Sequence, residues 1–257
     1  MNITFYKYQG TGNDFIILDD RTEEFDLNNH SLIQFLCNRK FGIGSDGLIL
    51  IRKHPKLDFT MIFFNPDASK SFCGNGSRCA VQFVADQKMF SANVFTFEAI
   101  DGDHTGKTEN GKVTVSVNNV KECVAEGNDY FLHTGSPHYI KYVNDLDSVE
   151  IIEEGRKIRY SEKYLPGGTN VNFIEAGKEG IQVRTYERGV EDETLSCGSG
   201  VTAGALSYAL KTNHPSPINV ITKGGALEVH FKREGNQFSE IALTGPAQFV
   251  FKGEIHV

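Results

Sequence analysis

Two segments of the chain predict helices that lack a wide polar face, and they constrain the fold more than any other feature. One runs over 76–88 and the other over 200–211, and both carry apolar or small residues on nearly every side. A helix of this kind is buried on most of its sides. In a chain that is otherwise rich in short strands, a curved sheet wrapped around each helix would bury it. The expected architecture is therefore two lobes, each built around one central helix.

The two predicted helices also share an entry sequence. Its form is Cys-Gly-x-Gly, and the two copies are Cys73-Gly74-Asn75-Gly76 and Cys197-Gly198-Ser199-Gly200. A weaker sequence similarity relates residues 10–16 to residues 168–174. We interpret the repeat as two pseudo-symmetric lobes, 1–117 carrying Cys73 and 118–246 carrying Cys197, with a soft boundary near 117–120. Whether the last strand, about 247–257, returns to the first lobe is left open.

Strands dominate the rest of the sequence. Nine short alternating or apolar runs predict them, at 3–7, 15–18, 48–51, 59–64, 94–97, 113–117, 183–186, 227–231 and 247–251. Two further helices are expected at 31–39 and 145–154. Because strands and helices do not alternate regularly, the expected class is α+β, with a mixed or antiparallel sheet in each lobe.

Composition excludes several classes of function. The chain has 26 Lys and Arg against 33 Asp and Glu, a net charge of −7, which argues against nucleic-acid binding. No apolar run is long enough to span a bilayer, and the N-terminus has no signal-peptide core. Five cysteines, an odd number without a CxxC pair, are typical of reduced thiols. We expect a cytoplasmic protein with neither a nucleic-acid nor a membrane partner.

The repeated turn suggests a chemistry. A cysteine at a helix N-terminus is favoured as thiolate, and the backbone N–H groups beside it bind anions. Two such turns could hold the carboxylate of an amino acid with its Cα between two sulfurs. One thiolate would then remove the Cα proton while the opposite thiol delivered a proton to the other face.

Other interpretations of the cysteines stay open. Free cysteine is most often a small buried hydrophobe, and this is the interpretation for Cys37, Cys79 and Cys123. The same would hold for Cys73 or Cys197 alone, and only their repeat favours chemistry. A disulfide between these two is a third interpretation, less expected in a reducing compartment. A non-catalytic pair of binding lobes is the remaining alternative.

No cofactor or metal is expected. The GxGxxG match at 42–47 follows a predicted helix and leads into a strand, the reverse of a dinucleotide site. The histidines include no HExxH pattern, and no lysine stands out as a Schiff-base residue.

Six motifs in linked order resemble diaminopimelate epimerases, over essentially the whole chain. They are Gly10-Thr11-Gly12-Asn13-Asp14-Phe15, Asn65-Pro66-Asp67, Cys73-Gly74-Asn75-Gly76-Ser77-Arg78-Cys79, Gly168-Thr169-Asn170-Val171-Asn172-Phe173, Glu187-Arg188-Gly189 and Glu193-Thr194-Leu195-Ser196-Cys197-Gly198-Ser199-Gly200. The resemblance implies a cofactor-independent isomerase that interconverts LL- and meso-2,6-diaminopimelate, on the route to lysine and bacterial cell-wall peptide. A related two-cysteine racemase acting on proline or hydroxyproline is the alternative. The family tends to dimerise, and a homodimer is left open.

The resemblance also implies residue roles. Cys73 and Cys197 would transfer protons. Backbone N–H groups of Gly74, Asn75, Gly198 and Ser199 would bind the carboxylate at the reacting carbon. The amino groups and the distal carboxylate would be bound by Asn13, Asn65, Asn170, Glu187 and Arg188. His138 and Glu187 lie where the family places groups that tune the thiols, although alone they would be interpreted as a turn histidine and part of a surface ion pair.

The chain departs from the family pattern at two positions. Many members have Asn where Ser136 stands, and some have Gln where Gly47 stands. The spacing from Asn65 to Cys73 is one residue short, and the spacing from Glu187 to Cys197 is one residue long. These departures concern recognition of the distal end and leave the two Cys-Gly-x-Gly turns unchanged.

Overall fold

The computed structural model describes residues 2–257, which divide into two compact units. The first unit runs to Val115 and also takes in Gly245–Val257, and the second is Ser116–Thr244. Within 2–257, no helix is long and apolar enough to cross a membrane.

The first unit contains seven strands and two helices in one run of chain. They are β1 (Asn2–Gly10), β2 (Asn13–Asp19), α1 (His30–Cys37), β3 (Gly47–Arg52), β4 (Phe59–Phe64), α2 (Gly74–Asp86), β5 (Val94–Ala99), β6 (Gly102–Glu109) and β7 (Lys112–Val117). Helix α2 packs against β1, β2, β3, β4 and β6. Ten of its thirteen residues, from Gly74 to Val84, are buried. The helix is therefore surrounded by the sheet, as its lack of a polar face predicts.

The second unit contains nine strands, two α-helices and one 3₁₀ turn. They are β8 (Cys123–Glu126), β9 (Asp129–His133), β10 (Pro137–Tyr142), α3 (Ile151–Arg159), the 3₁₀ turn (Glu162–Tyr164), β11 (Asn170–Ala176), β12 (Gly180–Glu187), β13 (Asp192–Thr194), α4 (Gly198–Thr212), β14 (Ile218–Thr222), β15 (Gly225–Glu234) and β16 (Gln237–Gly245). Helix α4 packs against β9, β10, β11, β12, β14 and β15. Eleven of its fifteen residues are buried.

The last strand, β17 (Gln248–His256), pairs antiparallel with β1. With it, the first unit has the strand order β17-β1-β2-β3-β4-β5-β6-β7. The successive pairings are antiparallel, antiparallel, parallel, antiparallel, parallel, antiparallel and antiparallel. The second unit, in the order β8-β9-β10-β11-β12-β14-β15-β16, has the same succession. This internal repeat and the mixed sheets confirm the predicted pseudo-symmetric α+β class.

Several predicted boundaries were wrong. The two central helices begin two residues earlier than expected, at Gly74 and Gly198, so each cysteine is itself the capping residue. The helix expected at 145–154 begins only at Ile151. Tertiary bonds explain the delay, because the Leu146 N–H donates to Glu175 Oε2 (2.7 Å) and Arg184 Nη1 donates to the Leu146 carbonyl (2.9 Å). These bonds hold the segment before α3 in a turn.

Candidate active site

Cys73 caps the central helix of the first unit. Its backbone is extended (φ −134°, ψ 108°), and its Sγ accepts a hydrogen bond from the Gly76 N–H at 3.4 Å. The side chain is partly exposed. A sulfur in this position lies at the positive end of the helix dipole and receives a backbone donor, and both effects favour the thiolate.

Two asparagine side chains adjoin this turn. Asn75 Nδ2 donates to Asn13 Oδ1 (3.2 Å), and the same oxygen lies 3.9 Å from Cys73 Sγ, where it can accept from the thiol. Asn13 Nδ2 donates to Asp46 Oδ2 at 2.6 Å. Because a carboxylate only accepts, this bond determines that the amide oxygen of Asn13 faces the turn.

A network of ion pairs holds the Asp46 side chain in position. Arg39 forms ion pairs with Asp46 (2.6 Å) and Asp14 (2.5 Å), and Lys7 pairs with Asp14 at 2.6 Å. Burial alone would raise the pKa of Asp14, but hydrogen bonds from Arg39 and Lys7 outweigh it and lower the pKa to about 2. Asp14 is therefore ionised at neutral pH, and the ion pairs of Arg39 hold Asp46 in the position that orients Asn13.

Asn65 follows β4, at the start of the loop that leads to Cys73. Its Nδ2 donates to Ser69 Oγ (3.0 Å) and Ser71 Oγ (3.1 Å). These bonds anchor the amide within its own loop.

The departure at Gly47 has a packing explanation. A Cβ there would lie 2.3 Å from Phe63 Cε2 and 2.8 Å from the Phe64 carbonyl oxygen. A side chain at this position would require the strand-borne Phe63 ring to move, so glycine suits this particular core.

Cys197 caps the central helix of the second unit in the same extended conformation (φ −109°, ψ 111°). It is buried, with 6% of its surface exposed. Its Sγ lies 3.5 Å from Ser199 Oγ, within hydrogen-bonding reach for sulfur. Cys197 thus also lies at the positive end of a helix dipole, with a hydroxyl beside it.

His138 is fully buried on β10, so the interpretation as a turn histidine was wrong. Its Nε2 lies 2.9 Å from both Ser136 Oγ and Ser199 Oγ, and its Nδ1 lies 3.1 Å from Asn172 Nδ2. Burial, with smaller contributions from His133 and Arg188, lowers the pKa of His138 to about 3. The imidazole is therefore neutral at physiological pH.

Asn170, Glu187 and Arg188 lie together where β11 begins and β12 ends. The Arg188 N–H donates to Asn170 Oδ1 (2.9 Å), and the Thr194 hydroxyl donates to Glu187 Oε2 (2.8 Å). Arg188 Nη1 donates to the Gly167 carbonyl at 3.3 Å. The structure thus brings these predicted residues into one cluster in the second unit.

Sequence reasoning assigned no role to Asn172 or Thr185, and it connected Ser136 only with recognition of the distal end of the substrate. Asn172 is fully buried between His138 and Thr185, whose hydroxyl donates to Asn172 Oδ1 at 2.9 Å. The available signal was the Asn-x-Asn spacing of 170–172, because residues two apart on a strand lie on one face. Within 2–257, no group of three or more His, Cys, Asp or Glu residues is arranged to hold a metal ion.

Comparison with known proteins identifies the class first. Solved structures with the same fold include a PhzF-family phenazine biosynthesis protein of Bacillus anthracis (TM-score 0.78, 14% identity, 100% of both chains). A hydroxyproline epimerase of Agrobacterium vitis also matches (TM-score 0.74, 14% identity, 99% of this chain and 92% of that one). At such identities the likeness shows the fold alone. Together with the family match below, it defines an isomerase of the epimerase class.

The family is shown by sequence. The family model for diaminopimelate epimerase matches residues 5–128 and 130–250. The diaminopimelate epimerase of Flavobacterium psychrophilum is 46% identical over 255 residues, covering 97% of this chain and 99% of that protein. That of Aquifex aeolicus is 39% identical, covering 98% and 97%. The chain belongs to the diaminopimelate epimerase family.

Proposed function

We propose that this chain interconverts LL- and meso-2,6-diaminopimelate without a cofactor, in the cytosol, for lysine and peptidoglycan-precursor synthesis. One observation carries the proposal: in a member of this family, each central helix begins directly after a cysteine, Cys73 on α2 and Cys197 on α4. Neither cysteine is needed to cap a helix, since Ser, Thr, Asp and Asn are the usual capping residues. Their presence at both caps is therefore better explained by chemistry than by local structure.

The proposed reaction is a proton exchange at one carbon. The thiolate of one cysteine removes the Cα proton, and the electron pair of the broken C–H bond passes into the carboxylate to form an enediolate. The thiol of the other cysteine then delivers its proton to the opposite face, and the new C–H bond forms as the carboxylate is restored. The first cysteine ends as thiol and the second as thiolate. The proposal requires both sulfurs to reach one substrate carbon.

We assign stabilisation of the enediolate charge to the N-termini of the two central helices. The backbone N–H groups of Gly74, Asn75, Gly198 and Ser199 would donate to the reacting carboxylate, aided by both helix dipoles. Donors held by the fold before reaction stabilise developing charge without reorganisation.

We assign binding of the distal end of the substrate to Asn13, Asn65, Asn170, Glu187 and Arg188. A second amino group and a second carboxylate need both acceptors and donors, which asparagine amides and a Glu-Arg pair supply. The planar guanidinium of Arg188 can bind two carboxylate oxygens. His138 and Glu187 are assigned to tuning of the thiols.

The first test is solvent exchange. The reduced protein is incubated with LL-diaminopimelate in deuterated water, and Cα deuteration and circular dichroism are followed. We expect both signals with diaminopimelate and neither with proline or hydroxyproline. Exchange with proline alone would instead favour the alternative racemase.

The second test is replacement of each cysteine. Cys73→Ala and Cys197→Ala should each lower kcat by about 10²–10⁴-fold, the usual contribution of a general acid or base. Cys123→Ala is the matched control, because this thiol is buried on β8 and caps no helix, so the variant should leave kcat unchanged. Full activity of either helix-cap variant would reject the two-cysteine mechanism.

A further inference from the structure

A buried amide in the second unit has only one possible orientation. Asn172 Nδ2 donates to the Tyr139 carbonyl at 3.1 Å, and Asn172 Oδ1 accepts from the Thr185 hydroxyl at 2.9 Å. Because a carbonyl cannot donate, a flipped amide would place two acceptors against each other. Asn172 Nδ2 therefore also faces His138 Nδ1, at 3.1 Å.

This orientation selects one tautomer of His138. A nitrogen that receives a hydrogen bond cannot carry the ring proton in a neutral imidazole, so the proton lies on Nε2. The Nε2–H is directed at the hydroxyl oxygens of Ser136 and Ser199, each at 2.9 Å.

The direction in which the Ser136 hydroxyl donates its proton follows from its neighbours. Ser136 Oγ accepts from Asn170 Nδ2 at 3.1 Å, and Asn170 is oriented by the Arg188 N–H on its oxygen and by donation to the Pro137 carbonyl at 3.0 Å. With the Nε2–H of His138 also pointing at it, Ser136 Oγ is surrounded by donors. Within the chain, the hydroxyl oxygen in reach of its own proton is Ser199 Oγ, at 3.4 Å.

Ser199 Oγ thus receives hydrogen bonds from Ser136 and His138. A hydroxyl oxygen has two acceptor sites, and both are then used. The remaining group, the Ser199 proton, is directed at Cys197 Sγ at 3.5 Å.

We propose that Asn172 is a positioning residue for the epimerase reaction: by holding His138 as the Nε2–H tautomer, it leaves the Ser199 hydroxyl to donate to Cys197 and so favours the Cys197 thiolate. This inference rests on the proposed role of Cys197 as a proton-transfer residue. A hydrogen bond donated to the charged form of an acid favours that form. Ser136 takes part in the same chain of bonds.

Other titratable groups lie around this chain of bonds. They are His133 on β9, which pairs with Pro137, and Glu187 and Arg188 at the end of β12. All three are kept in the variants below, so their effect on the sulfur is common to every measurement.

The test measures the thiol directly. The full reduced chain is treated briefly with iodoacetamide across a pH series, and alkylation of the Cys197 peptide is quantified by mass spectrometry. Ser199→Ala and Asn172→Leu should each raise the midpoint pH by about one to two units. Ser199→Ala removes the hydrogen bond donated to the Cys197 sulfur, and Asn172→Leu removes the contact that holds His138 as the Nε2–H tautomer. Ser199→Thr keeps a hydroxyl and should keep the midpoint. Ser207→Ala is the matched control on α4, because its hydroxyl donates to the Gly204 carbonyl instead.

A double variant separates positioning from a general loss of structure. If Asn172 acts through the serine, Asn172→Leu should add no shift in the Ser199→Ala background. Additive shifts, or an unchanged midpoint in Asn172→Leu alone, would overturn the inference. Should Asn172→Leu fail to fold, Asn172→Ala also removes the Nδ2 donor to His138 and should shift the midpoint in the same direction.

A measurement on the unaltered protein gives an independent answer. Nitrogen NMR of the His138 ring should show protonated Nε2 and unprotonated Nδ1, and the opposite tautomer would refute the inference. The outcome is distinct from failure of the proposed function. Full activity of Cys197→Ala would reject the function whatever the tautomer, whereas loss of that activity with unshifted midpoints would reject only the role of Asn172.

Discussion

Gly76 and Gly200 occupy the same position in the two Cys-Gly-x-Gly turns, but they face different neighbours. A Cβ on Gly76 would lie 3.3 Å from Ile49 Cδ1 and 3.5 Å from Phe15 Cε1, both ends of side chains. A Cβ on Gly200 would lie 2.3 Å from Asn172 Oδ1. The first contact can relax by a few tenths of an ångström, whereas the second requires the buried amide to move.

The difference can be expressed as free energy of unfolding. Alanine in place of a helical glycine contributes about 0.5–1 kcal/mol of stability. In Gly76→Ala this gain is offset by the tight contact, and we expect a net change within about 1 kcal/mol. In Gly200→Ala, overpacking costs about 1–3 kcal/mol. The displaced Asn172 loses its bond from Thr185, which costs about 1 kcal/mol more. The expected net loss is about 2 kcal/mol.

Urea denaturation of the two variants and the unaltered chain measures the change in free energy of unfolding, and thermal unfolding measures the change in Tm. At this chain length, a loss of about 2 kcal/mol corresponds to a fall in Tm of about 4–8 °C. We expect Gly200→Ala to show such a fall and Gly76→Ala to remain near the unaltered protein. Equal shifts in the two variants, or a stabilised Gly200→Ala, would refute the reasoning from the Asn172 contact.

Three further predictions concern buried ionisable groups. Burial lowers the pKa of His138 from 6.5 to about 3, so the unfolded chain binds a proton that the folded chain does not between these values. The free energy of unfolding should therefore fall as pH decreases through this window, by up to about 1.4 kcal/mol per pH unit. In urea titrations of His138→Gln, the free energy of unfolding should depend less steeply on pH, and an unchanged slope would contradict this. Arg78 is fully buried and donates to the neutral oxygens of Thr11, Gly74 and Pro246, and burial lowers its pKa to about 10. Arg78→Met should change the free energy of unfolding, measured in urea, by no more than about 1 kcal/mol, but it should raise the midpoint pH for alkylation of Cys73. A loss of more than about 3 kcal/mol would show that the buried charge is structural. Burial raises the pKa of Cys123 to about 12, so mass spectrometry should find it unalkylated in the folded chain at neutral pH, and early labelling would disprove its burial.

Local sequence pattern predicted much of the secondary structure. The strand expected at 59–64 is β4 with the same bounds, and the two central helices are off by two residues at their starts. These elements have strong apolar patterns that tertiary context does not override. Strands such as β6 (Gly102–Glu109) were missed because they are polar and carry little alternating pattern.

The sequence by itself determined the repeat, the α+β class, the family and the two helix-cap cysteines, because these depend on residue order and on local apolar pattern. Only the tertiary structure decided that His138 is buried and neutral, with Asn172 at its Nδ1 and the hydroxyls of Ser136 and Ser199 at its Nε2. These contacts join Ser136, just before β10, with residues on β10, β11 and the start of α4, up to 63 positions apart in the chain. Parallel pairing of β10 with β11 brings two of the elements together, and α4 packs against both strands. No local pattern encodes such contacts, since they arise only when separate strands and a buried helix share one core.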